Sequence, residues 1–87
     1  MKYVAVVGRF INEFVDFTKE LAKTERIIRK VGRKVETKGT IYTLVSTPDH
    51  ADGNYFDEII KLPTPPEDAG TILFILNYII GLKNREQ

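Results

Sequence analysis

Residues Tyr3 to Val7 read YVAVV, five apolar residues in a row. A strand of that composition has no polar side to turn to water. It belongs at the centre of a sheet, most often with parallel neighbours. Gly8-Arg9-Phe10 is the turn that leads out of it. Asn12 is placed to cap a following helix, with Glu13 and Asp16 in its first turn, where carboxylates suit the helix dipole. Phe14, Phe17, Leu21 and Ile28 recur at helical spacing, while Asp16, Lys19, Glu20 and Lys23 take the opposite face. The pattern admits two ends for this helix, at Thr24 or at Val31 with Gly32 as C-terminal cap.

A hairpin signal follows. Arg33–Thr37 and Thr40–Ser46 flank Lys38-Gly39, and the second arm, TIYTLVS, is rich in β-branched and aromatic residues. Thr47–Phe56, TPDHADGNYF, has loop composition, and Asp57–Leu62 reads as a short strand. Thr64-Pro65-Pro66-Glu67 is a helix start: Thr64 caps, Pro65 suits the first helical position, and Glu67 completes a capping box. The last helix is expected from there to about Gly81, with the polar tail KNREQ fraying. The order β-α-β-β-β-α predicts a small α/β fold, a mixed four-stranded sheet with two helices in one domain. The first strand and the Ile41–Ser46 strand are expected to be parallel neighbours, reached by a right-handed crossover.

Composition narrows the function classes. The 87-residue chain carries 13 Lys+Arg against 12 Asp+Glu and has no cysteine, which leaves room for one domain and excludes a disulfide scaffold and a thiolate metal site. Hydrophobic residues make up 43% of it, too many for a disordered chain. Thr71–Leu82 is apolar, but its 12 residues fall short of the ~20 that span a bilayer. These features lead us to expect a cytoplasmic protein with no membrane partner.

In open α/β sheets, ligands bind beyond the carboxyl ends of the strands. If the first and Ile41–Ser46 strands are neighbours, Gly8, Arg9 and Asn12 share that edge with Thr47, His50 and Asn54. Gly8 would permit close approach, Arg9 would supply a cationic fork, and the helix start near Asn12 would favour an anion. Thr47, His50 and Asn54 could add hydrogen bonds. The competing account is a turn glycine, an exposed arginine and an ordinary surface loop. Neither GxxxxGK[ST] nor GxGxxG is present, which argues against nucleoside triphosphate hydrolysis but not against binding. Asp49, His50 and Asp52 have metal-binding chemistry without metal-loop spacing, so no metal and no cofactor is expected. Ser46, His50 and Asp52 are too crowded for a nucleophilic triad, and no catalytic residue is assigned.

Charge is segregated. Lys19–Lys38 holds eight Lys/Arg against three Glu, a net +5, and Gly39–Gly70 holds one Lys against six Asp/Glu, a net −5. Arg26, Arg29, Lys30, Arg33, Lys34 and Lys38 could therefore contact nucleic-acid phosphates or an acidic partner. The bland account is a solvated helix face followed by an edge strand guarded by its charges. The last helix is apolar nearly all round, and one sheet covers only one side of it. Phe74, Tyr78 and Leu82 are the expected interface of a homodimer.

The segments KYVAVV, TLVST, DHADGNYF and DEIIKLPTPPE together resemble the second RecA-like lobe of helicases and phage terminase motors. There, a strand ending in Thr leads to a loop with an Arg-Gly pair, then to a strand and a helix after a proline. By that likeness Thr47 and Gly53 occupy the motif Thr and Gly positions. Asp52 stands in place of the Arg, no arginine-finger motif follows, and the nucleotide-gripping lobe is missing. The resemblance covers about half the chain and implies a small stand-alone lobe without motor activity, of the sort phages carry. Three functions are carried forward. The first is a non-enzymatic module binding a nucleotide or a nucleic-acid backbone, as a phage or viral accessory protein would. The second is an interaction module that engages itself or a host protein through the last helix. The third is a metal-dependent hydrolase using Asp49, His50 and Asp52.

Overall fold

A computed structural model describes residues 1–51, 55–63 and 65–85, the side chains of 82–85 excepted. The elements are β1 (Lys2–Val7), α1 (Ile11–Leu21), β2 (Ile27–Val31), β3 (Lys34–Thr37), β4 (Thr40–Val45), β5 (Glu58–Lys61) and α2 (Ala69–Arg85). Short 3₁₀ turns lie at Pro48–Ala51 and Pro66–Asp68. The strands form one mixed sheet in the order β2-β3-β4-β1-β5. β1 runs parallel to β4 on one side and to β5 on the other, while β3 is antiparallel to both β4 and β2.

The α/β class, the two helices and the parallel β1–β4 pair are as the sequence predicts. The sheet has five strands rather than four, because residues 27–31 form β2 instead of prolonging α1. The helix closes at Leu21, where the Glu25 N–H donates to the Leu21 carbonyl (2.9 Å) and the Thr24 hydroxyl donates to the same oxygen (3.3 Å). Glu25 then becomes an anchor. Its carboxylate accepts from the Thr37 hydroxyl (3.1 Å) and from the Tyr42 hydroxyl (3.0 Å), tying the chain before β2 to β3 and β4. The β-branched residues Ile27, Ile28 and Val31 suit the strand that follows. Gly32, at φ 57°, opens the two-residue turn into β3. Glycine at the first central position is what a tight hairpin of this hand requires.

β1 separates two apolar clusters by simple alternation. Val4 and Val6 pack with Phe14, Val35, Tyr42, Leu44 and Leu62 on the α1 side. Ala5 and Val7 pack with Val45, Ala51, Phe56, Ile72, Ile75 and Ile79 on the α2 side. Both helix layers thus use β1 as their floor, which is why the four consecutive residues Val4 to Val7 are apolar and buried, while Tyr3 is exposed. Each such large side chain removed from water is worth about 1.5–3 kcal/mol.

Two helix ends differ from the capping signals. Phe10, not Asn12, is the N-cap of α1, and it makes no side-chain cap hydrogen bond. Its extended backbone lets the helix begin at Ile11, so Asn12 lies in the first turn. At α2 the prolines first make a 3₁₀ turn, closed by the Asp68 N–H on the Pro65 carbonyl (3.0 Å), and α-helix starts at Ala69. Thr64 lies outside the described residues. α2 continues through Gly81 to Arg85, further than the polar tail suggested. No helix among the described residues is long and apolar enough to cross a membrane.

Candidate functional site

The carboxyl ends of β1, β4 and β5 meet at one edge of the sheet. After β1 the chain passes to α1 on one face. After β4 it passes through Ala51 and Phe56, which belong to the opposite face. Adjacent parallel strands whose connections leave to opposite faces define a topological switch point, the place where open α/β sheets form a crevice for ligands. Here that place is bounded by Gly8-Arg9 and by Ser46-Thr47, with the Gly8 N–H donating to the Val45 carbonyl (3.3 Å) across it.

Gly8 is buried, and its lack of a side chain has a packing cause. A Cβ there would stand 2.8 Å from Leu62 Cδ1, so Leu62 fills the space that a side chain would need. Arg9 is exposed and engages Asp68 through Nε at 3.5 Å. A pair this exposed is worth at most about 1 kcal/mol, and it uses one of five guanidinium donors. Asn12 is exposed on the first turn of α1, where the Phe10 side chain caps no N–H group and the Glu13 N–H donates to the Phe10 carbonyl (3.2 Å).

On the β4 side, the Ser46 N–H donates to His50 Nδ1 (3.1 Å) and the His50 N–H donates to the Thr47 carbonyl (3.1 Å). This reciprocal pair pins the half-buried imidazole over the end of β4. A ring nitrogen that accepts a hydrogen bond carries no proton, which leaves Nε2 as the donor of the neutral ring. Burial lowers the His50 pKa from its ordinary value, the Arg33 charge lowers it further, and Asp49 opposes them. Thr47 is exposed beside it. Asn54, Gly53 and Asp52 lie outside the described residues.

Two residues join this edge that sequence reasoning did not place there. Arg33 arrives because β3 begins where β4 ends, and its carbonyl accepts from the Leu44 N–H (2.8 Å). The sequence sets it near this site only as one residue of the basic 26–38 segment. Asp68 arrives from the turn before α2, a position no local motif announced.

Of the basic segment, Lys19 lies on α1 and Arg29 and Lys30 on the edge strand β2, in keeping with the reading of a helix face followed by a charged edge strand. Arg29 and Lys34 lie on the α2 side of the β2–β3 hairpin and Lys30 on the α1 side, since Lys30 stands opposite the buried Val35. Arg33 sits in the intervening turn, Lys38 in the β3–β4 turn, and Arg26 before β2. Of the expected interface residues, Phe74 is 62% exposed, Tyr78 is half-buried against the α2-side core, and the Leu82 side chain lies outside the described residues. The exposed residues of α2 also include Leu73 and Ile80. Among the described residues, no group of three or more His, Asp and Glu is gathered as metal ligands would be.

These features define a small α/β protein with helices on both faces of a mixed sheet and polar, partly cationic residues gathered at its switch point. The chain matches no protein-family model, no curated protein and no solved structure.

Proposed function

We propose that the protein is a small binding module for an anionic ligand, a nucleotide or a nucleic-acid backbone, held at the carboxyl edge of β1 and β4. The observation that carries this reading is the switch point itself. It brings Arg9, the start of α1, Thr47, His50 and Arg33 to one edge, although Arg9 and Arg33 are 24 positions apart in the chain. Phosphate oxygens suit that set, because backbone N–H groups, hydroxyls and guanidinium all donate. The RecA-like resemblance accords with it, since the motif threonine corresponds to Thr47. We assign no reaction to the site.

The test is a thermal melt of the purified chain with ADP, ATP, pyrophosphate or a short oligonucleotide at millimolar concentration. One of these should raise the melting temperature, and Arg9→Ala should weaken that ligand about tenfold, the equivalent of one charged hydrogen bond. No stabilisation by any of the four would overturn the reading. A second reading, an interaction module acting on a host protein, is favoured by one observation: Leu73, Phe74 and Ile80 stand exposed on α2.

A further inference from the structure

The α2 side of the sheet is only partly covered. α2 lies over β1, β5 and the end of β4, where Ala5, Val7, Ile59 and Val45 meet its buried isoleucines. Among the described residues the rest of that face is more open: Tyr3, Arg29, Val31 and Lys34 are exposed, and Glu36, Ile41 and Thr43 are half-buried. Strand register assigns its rows: Tyr3, Ile41, Glu36 and Arg29 stand side by side, and next to them run Thr43, Lys34 and Val31. Arg29, Val31, Lys34, Glu36 and Ile41 line an open groove of about 280 Å³ there. Tyr3 is 42% exposed and Val31 57%.

The same chain carries a helix face with no cover. Leu73 and Ile80 are two turns apart on α2 with Phe74 beside them, and all three are about half exposed. No charged residue occurs between Ala69 and Gly81, so this face brings no ion to be desolvated. The open part of the sheet lacks a helix, and the exposed helix face lacks a sheet.

We propose that two copies of this chain form a twofold dimer in which α2 of each lies in the open β2–β3–β4 face of the other. Reciprocity satisfies both unpaired faces with one contact, as a twofold interface requires. The area is sufficient. Tyr3, Val31, Leu73, Phe74 and Ile80, each about half exposed, offer roughly 500 Å² per copy and roughly 1,000 Å² in all, the lower bound for a specific interface. Glu36 stands beside Arg29 and Lys34 on the sheet, a net charge of +1, and the uncharged stretch of α2 brings no like charge against it. This dimer differs from one that pairs the two helices directly, which would leave both sheet faces open.

Light scattering across a concentration series tests it, with two variants. Phe74→Glu alters the helix face and Val31→Glu the sheet face, both at exposed positions, and circular dichroism checks that each retains the fold. The wild-type chain should be a dimer, and each variant alone should weaken it by more than about tenfold. A monomeric wild-type chain would overturn the proposal. So would a dimer that Phe74→Glu disrupts and Val31→Glu leaves intact, because that pattern belongs to helix-to-helix pairing or to a sheet face that needs no cover.

Discussion

Glu25 is where the fold is decided at the scale of single residues. It receives the hydroxyls of Thr37 and Tyr42, and Tyr42 also packs edge-on against Phe17 with ring centroids 5.6 Å apart. Burial, the Glu25 hydrogen bond and the charges of Glu25 and Glu58 together push the Tyr42 phenol up from 10.0 to about 12. A raised phenol favours the neutral form in the folded state. Its contribution to stability is therefore complete below pH 10 and is lost as pH rises toward 12. Urea titrations at pH 8 and pH 11 should show that loss, and Tyr42→Phe should reduce it. At pH 8 the same substitution leaves Glu25 with one hydroxyl fewer and should cost about 1–2 kcal/mol. Gly8 teaches a different lesson. From the sequence it suits the close approach of a ligand, yet Leu62 occupies the space beside it. A glycine after a strand announces close approach without saying of what.

At the scale of elements, β1 and the β3–β4 hairpin were legible because their signals are local. An unbroken apolar run has one comfortable place, and Lys38-Gly39 between β-rich arms has one comfortable turn. β2 was not legible as a strand. Ile28 continues the helical spacing of Phe14, Phe17 and Leu21, and Gly32 suits a helix cap as well as a hairpin turn. The choice is made by a tertiary contact, Glu25 reaching Thr37 and Tyr42, which no window of sequence contains. Gly32 gives a check on the strand assignment. At φ 57° with nothing within 4 Å, an added methyl group meets no neighbour but strains the backbone. Gly32→Ala should therefore destabilise the protein by about 1–2 kcal/mol in denaturant unfolding. If Gly32 were dispensable to the turn, the cost would be near zero.

At the scale of the whole molecule, five strands and two helices leave the α2 side incompletely covered, while the α1 and α2 layers share β1 as a floor. The candidate site was half legible. Gly8, Arg9, Asn12, Thr47 and His50 could be assigned to one edge once β1 and β4 were taken as parallel neighbours. Arg33 and Asp68 could not, since they reach that edge through a reversal of β3 and a turn before α2. The basic and acidic segments, so distinct in the chain, meet where Arg33 lies near His50, while Asp68 of the acidic segment pairs with Arg9 from outside either one. Net segment charge therefore says little about how charge is arranged in space, which follows the strand topology. Amide chemical shifts recorded by NMR during a titration with pyrophosphate or ADP test the claim most directly. The account predicts that the shifts concentrate at Gly8, Arg9, Asn12, Thr47 and His50. Shifts confined to the hairpin between Arg26 and Lys38, or no shifts at millimolar ligand, would contradict it.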